Sequence, residues 1–185
     1  MKESFDLDGT LTRFKIPVTE ELHKSVHKDQ NSMTEFFTAE RMLTEIPRLE
    51  MIEYFFSAAS QNGGSIDIIS GRPSFCIEWT KQWFENLKAS MSQLVDMSSE
   101  IYFHLQDYAK YPGHDGITKF KVDKLQELKI ERHYDDNILQ LCAIREELPD
   151  IELVVVFDID NLTTGISMLE DVQAKRTDRV TIVSL

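Results

Sequence analysis

The chain has 185 residues, 42% of them apolar and 28% charged, which is the mix of one globular domain and excludes global disorder. Asp and Glu outnumber Lys and Arg by 32 to 20, a net charge of −12 that disfavours strong sequence-independent binding to nucleic acid without excluding a local basic patch. No apolar run nears the roughly 20 residues needed to cross a bilayer, and Met1–Phe5 lead straight into charged residues, so neither a transmembrane segment nor a signal peptide is expected.

Ser4–Leu7 is a short apolar lead that predicts a first strand ending at Asp6-x-Asp8-Gly9. Residues 13–47 are polar and mixed and read as an insert, helical in part. A helix is expected from Pro47 to about Gln61, with Leu49, Ile52, Phe55, Phe56 and Ala59 on one face and Asn62-Gly63-Gly64 as its stop. Ser65–Ile69 predicts a strand ending at Ser70-Gly71-Arg72-Pro73. A second helix follows, with Cys76, Trp79, Trp83, Phe84 and Leu87 on one face, then a short strand over Ile101–Leu105. Tyr111-Pro112-Gly113 reads as a turn and Thr118–Leu128 as a helix capped by Thr118. Ile130–Tyr134 predicts a strand ending in Asp135-Asp136, residues 138–148 a helix, and the β-branched run Ile151–Phe157 a buried strand. Thr181–Val183 is a candidate edge strand. Such alternation predicts an α/β fold with a mainly parallel sheet flanked by helices. Ligands gather at the carboxyl ends of strands in such sheets, where Asp6, Asp8, Ser70, Asp135 and Asp136 all fall.

On an extended chain Asp6 and Asp8 point the same way. Two carboxylates so placed suit two jobs, one as nucleophile and one as proton donor and acceptor. They also repel, so a bound cation is expected, and magnesium is a hard ion suited to carboxylate and phosphate oxygen. An EF-hand is excluded, because its loop glycine would be Leu11. Ser70 offers a hydroxyl that can donate to a transferring phosphoryl oxygen. A lysine near the predicted start of the helix at Thr118 opposes the helix dipole unless it faces an anion; Lys121 is favoured and Lys119 is its rival. An Asp-Asp pair at a buried strand end is costly without a cation.

The string Asp6-x-Asp8-Gly9-Thr10-Leu11-Thr12 closely resembles the first motif of the haloacid dehalogenase superfamily. The resemblance implies that Asp6 is the nucleophile that becomes an aspartyl-phosphate, and that Asp8 is the general acid and base whose backbone carbonyl also binds Mg2+. Thr10 matches the threonine that helps hold this loop, and it is grouped with Ser70, Gly71 and Arg72 on the substrate-binding side. Ile68-Ile69-Ser70-Gly71-Arg72 resembles the second motif, Lys121 stands where the third needs its lysine, and Tyr134-Asp135-Asp136 resembles the acidic fourth. Asp135 would then bind Mg2+ directly and Asp136 through water or at one remove, giving a metal set of Asp6, Asp8, Asp135 and Asp136. The likeness spans residues 5 to about 157 and implies one Rossmann-like phosphatase domain, 1–185, with a small insert or cap at 13–47 and a C-terminal extension at 158–185. Glu3 and Ser4 are less apolar than the family's usual first strand, which leaves that strand's length open.

The resemblance implies a magnesium-dependent phosphomonoester phosphatase. A small insert leaves an open site suited to bulky substrates, and the acidic charge favours a phosphoprotein, with phosphotyrosine among the candidates. A polynucleotide end phosphatase is the alternative, because Phe120-Lys121-x3-Leu125-x2-Leu128 before Tyr134-Asp135-Asp136 resembles the spacing in nucleic-acid-repair members. A small-metabolite phosphatase and an inactive binding scaffold are the others. Phe157-Asp158-Ile159-Asp160-Asn161 repeats the paired acids but lacks the glycine and reads as a strand end. Neither Cys76 nor Cys142 heads a Cys-x5-Arg loop, and both are expected as buried reduced thiols. His133 reads as a packed strand residue, and no metal-ligand spacing joins His114 or the other histidines. A cytoplasmic setting is the default, and the abrupt end at Val183-Ser184-Leu185 allows a domain of a longer, delivered protein.

Overall fold

A computed structural model of the chain describes residues 1–13, 22, 25–91, 98–157 and 180–184, with the backbone alone at 157 and 180–184. The strands are β1 (Glu3–Phe5), β2 (Thr12–Arg13), β3 (Ile46–Pro47), β4 (Ser65–Pro73), β5 (Glu100–Gln106), β6 (Arg132–Asp135), β7 (Glu152–Phe157) and β8 (Val180–Ser184). The helices are α1 (Gln30–Phe36), α2 (Ala39–Leu43), α3 (Leu49–Gln61), α4 (Ile77–Met91), α5 (Gly113–Glu127) and α6 (Ile138–Glu147), with a 3-10 turn at Ser74–Cys76. No described helix is long and apolar enough to cross a membrane.

Six strands form one parallel sheet in the order β5-β4-β1-β6-β7-β8. From β1 the chain first works outward through β4 to β5, then returns to the other side for β6, β7 and β8. The direction reverses between β1 and β6, and that switch point is where open α/β sheets leave a crevice at the carboxyl ends.

Side-chain alternation assigns the two faces. Phe5, Ile66, Ile68, Tyr134, Val154 and Val156 pack with Ile52, Phe55 and Phe56 of α3 and Trp83, Phe84 and Leu87 of α4. Ile69, Leu153 and Val155 pack with Phe120 and Leu125 of α5 and Leu141 and Ile144 of α6. Full burial of each of these large side chains is worth about 1.5–3 kcal/mol. Phe5 anchors the first layer, stacked on Tyr134 at 4.3 Å and edge-on to Phe55 at 5.2 Å.

The polar start of β1 has a cross-strand reason. Glu3 lies opposite Arg132 and accepts from its Nη1 at 2.8 Å, and Ser4 lies opposite His133, with Oγ 2.9 Å from Nδ1. These partners let two polar residues occupy a central strand.

The insert begins and ends on one hairpin. Thr12 pairs with Pro47 and Arg13 with Ile46, so the two ends of the stretch lie side by side. Pro47 therefore belongs to a strand rather than opening the helix, and α3 starts at Leu49, which is 50% exposed instead of lying on the buried stripe. Asp29 and Thr38 cap α1 and α2. These short helices put Met33, Phe37 and Met42 against Cys76, Trp79, Leu105 and Tyr108, just beyond the carboxyl ends of β4 and β5. Residues 14–21, 23–24 and 158–161, the last including the second acidic pair, lie outside the described residues. Both cysteines are free thiols; Cys76 is buried and burial pushes it up to about 12, whereas Cys142 is half-buried.

Candidate active site at the strand ends

β1 ends at Phe5, and the chain turns tightly from Leu7 to Thr12: Leu11 and Thr12 both donate to the Leu7 carbonyl, and Gly9 N donates to the Thr12 carbonyl. Gly9 is required twice over. Its φ is +83°, and a Cβ there would overlap the Asp136 carboxylate. Arg48 closes the turn, its side chain donating to the Gly9 carbonyl and its backbone N to that of Leu11 at 2.9 Å.

Around this turn the two motif acids take different partners. Asp6 joins the α5 side of the sheet, and Asp8 reaches toward the end of β4. Lys121 Nζ lies 2.9 Å from Asp6 Oδ1 and 2.6 Å from Asp135 Oδ2. Oxygens of Asp6, Asp135 and Asp136 all lie within 4.8 Å of one another, a set able to hold a metal ion. Asp8 is not in that set; both its oxygens accept from Arg72.

Electrostatics follow from this crowding. Burial raises Asp6 well above the usual carboxylate range; Lys121 works against that, and Asp135, Asp136 and Asp8 add to it. Burial would also raise Asp135, but Lys121 and His133 outweigh it and hold Asp135 below the ordinary value. Asp136 is open to solvent on its outer side, yet its carboxyl packs against protein atoms; that desolvation, then the Asp135 charge, push it up to about 7. Burial works against the Lys121 ammonium, but Asp135 and Asp6 more than offset it and keep it charged. Burial lowers His133, whose Nε2 stands 3.5 Å from Asp135 Oδ2.

Lys121 is buried and Lys119 exposed, which separates the two rivals. The local reason differs from the sequence expectation. α5 begins at Gly113 rather than Thr118, so Lys121 stands two turns inside the helix, on the face turned to the sheet, and the dipole of the first turn does not act on it. Gly116 permits the early start, since a Cβ there would lie 2.5 Å from the Tyr111 backbone.

Ser70 is buried, and its hydroxyl accepts the Arg72 backbone N–H at 3.2 Å while keeping its own proton to donate. Gly71 faces α5, where a Cβ would come within 2.6 Å of Ile117 Cγ2. Thr10 is fully buried, and its hydroxyl has no hydrogen-bond partner among the described residues. Arg72 is 1% exposed and its donors go to Asp8, Glu45 and Thr80, so the structure places it behind Asp8 rather than open to a substrate.

No family model matches the chain, and no curated protein or solved structure is significantly similar to it. The site must therefore be read from its own geometry.

Two residues of the site were missed in the sequence. Glu45 and Arg48 sit at the return end of the insert, in a stretch without a motif, and reach the site only through the β2–β3 hairpin. His133 was read as a packed strand residue; it is fully buried, and it also backs Asp135.

Proposed function

We propose that the chain is a magnesium-dependent phosphatase of the haloacid dehalogenase type, which hydrolyses phosphomonoesters through an aspartyl-phosphate on Asp6. The observation that carries this reading is the meeting of Asp6, Asp135 and Asp136 around buried Lys121 at the switch point between β1 and β6.

The donor set suits a hard divalent cation. Three carboxylates converge with one ammonium among them, and the raised Asp6 and Asp136 mark negative charge that Lys121 alone does not balance. Asp6, Asp135 and Asp136 would hold magnesium, with the Asp8 backbone as the resemblance implies. When bound, the ion neutralises the phosphoryl oxygens and the crowded acids.

A carboxylate oxygen of Asp6 forms a bond to phosphorus, the bond from phosphorus to the leaving oxygen breaks, and Asp8 gives that oxygen its proton. Water then attacks phosphorus and yields a proton to Asp8. The acyl-phosphate P–O bond breaks, which frees inorganic phosphate and restores the Asp6 carboxylate. Lys121 and the Ser70 hydroxyl hold the charge of the transferring group.

A phosphoprotein is the proposed substrate, with phosphotyrosine first to be tested. The net charge of −12 opposes a polynucleotide, and the described insert helices, seven and five residues long, seat beside β4 and β5 rather than on β6. The test is phosphate release, with and without Mg2+, from p-nitrophenyl phosphate, phosphotyrosine and phosphoserine peptides, 3′-phosphate oligonucleotides and nucleotides. Mg2+-dependent release that is fastest on phosphotyrosine peptides supports the reading. Release from none of them, by a folded protein, contradicts it and favours a binding scaffold.

A further inference from the structure

The rim holds a second buried cation. Arg72 Nη2 donates to both oxygens of Glu45, at 2.8 and 2.7 Å, and to Asp8 Oδ1. Its Nε donates to Asp8 Oδ2 at 3.2 Å and its Nη1 to Thr80 Oγ1 at 3.1 Å. The side chains of Arg72 and Glu45 are 1% and 0% exposed and that of Asp8 is 22% exposed, so the array runs from a dry interior to the mouth of the site. Glu45 is itself anchored, its carbonyl accepting the Trp83 indole N–H at 3.1 Å. The guanidinium thus bonds to the end of the insert, to α4 and to the turn after β1 at once, and its planar fork is held in one orientation.

We propose that Arg72 and Glu45 are positioning residues for Asp8. Glu45 locks the guanidinium, and the guanidinium fixes the Asp8 carboxylate where it serves the leaving oxygen. The proposal rests on the phosphatase reading above and deepens it, because it makes the end of the insert part of the proton-transfer machinery. Its consequence is selective. An alkyl phosphate has a poor leaving group and depends on a proton well delivered, whereas p-nitrophenolate leaves with little help. Disturbing the array therefore steepens the dependence of rate on leaving group, instead of slowing every substrate alike.

The experiment measures kcat and KM for wild type, Arg72→Lys, Glu45→Gln and Thr80→Val on p-nitrophenyl phosphate and on phosphoserine. Lysine cannot bridge both Asp8 oxygens, and glutamine keeps the shape of Glu45 but only one acceptor. Arg72→Lys and Glu45→Gln are expected to lower kcat on phosphoserine by about 10²-fold and on p-nitrophenyl phosphate by less than about tenfold, with KM unchanged. Thr80→Val removes one neutral hydroxyl, stays folded, and shifts the ratio the same way by a smaller factor, so it carries the test if the charged variants do not fold. Equal losses on both substrates, or a raised KM with kcat unchanged, overturn the proposal; the second outcome would make Arg72 a substrate ligand. A folded wild type inactive on the whole substrate panel above overturns the phosphatase reading and this proposal with it. An active wild type with uniformly slowed variants overturns this proposal alone.

Discussion

Lys121 and Arg72 are both buried at the carboxyl rim, each among carboxylates, but their surroundings balance differently. Around Arg72 a guanidinium with five donors meets two carboxylates and a hydroxyl, and Glu45 and Asp8 accept in good geometry. Around Lys121 one ammonium bonds two acids, and Asp136 crowds in as a third, without an ion-pair partner of its own among the described residues. The first sets two acids against one cation, with both acids bonded to it, and is suited to holding a shape. The second sets three acids against one cation, a larger excess of negative charge and a set able to hold a metal ion. The third acid, rather than burial as such, separates the proposed reactive centre from its scaffold.

The sharpest break between the two pockets is Asp6→Asn. It is expected to leave the circular dichroism spectrum unchanged and to lower Mg2+-dependent phosphate release by roughly 10⁴-fold or more, since a missing nucleophile removes the covalent route. Lys121→Met comes next, because it takes the ammonium away from buried Asp6 and Asp135. Urea unfolding without Mg2+ is expected to show a loss of about 3–5 kcal/mol. Mg2+ itself is expected to raise the wild-type unfolding temperature, a stabilisation of about 2.7 kcal/mol at one hundred times its dissociation constant. Asp136→Asn inverts that behaviour: with one repelling carboxylate gone, the variant unfolds above wild type without Mg2+ and gains less when it is added.

The pH dependence sharpens the comparison further. The folded state holds His133 neutral by burial, with its pKa lowered. Its contribution is present above the unfolded value of about 6.5 and is lost as pH falls below it. Glu45 and Asp136, both near 7 in the fold, act with opposite sign, contributing most below the unfolded carboxylate range of about 4 and losing that as pH rises through 7. The difference between wild type and His133→Asn in urea midpoint from pH 7.5 to 5 isolates the histidine, and it is expected to shrink steadily as pH falls. At the small end, Leu49→Ser on the exposed start of α3 is expected to change stability by less than about 0.5 kcal/mol.

The acids were legible because each follows a strand in sequence, so a local pattern placed Asp6 and Asp135 at one rim without knowledge of the sheet order. Lys121 was legible only as a residue type after the earlier motifs. The dipole argument for it fails, since Gly113 reads as the end of a turn while the helix already starts there. Pro47 misled by its usual place in a first helical turn; the structure puts it in a two-residue strand instead. Glu45 was not legible. Its partner Arg72 is 27 residues away, its neighbours form no motif, and only the return of the chain through β3 brings it under Asp8.

The most direct measurement of the central claim is borohydride trapping during turnover of p-nitrophenyl phosphate with Mg2+, followed by peptide mass spectrometry. Reduction of an acyl-phosphate converts its aspartate to homoserine. The account predicts that conversion at Asp6, only with substrate and Mg2+ together, and none in Asp6→Asn. Steady phosphate release with Asp6 unmodified, or trapping at another residue, would contradict it.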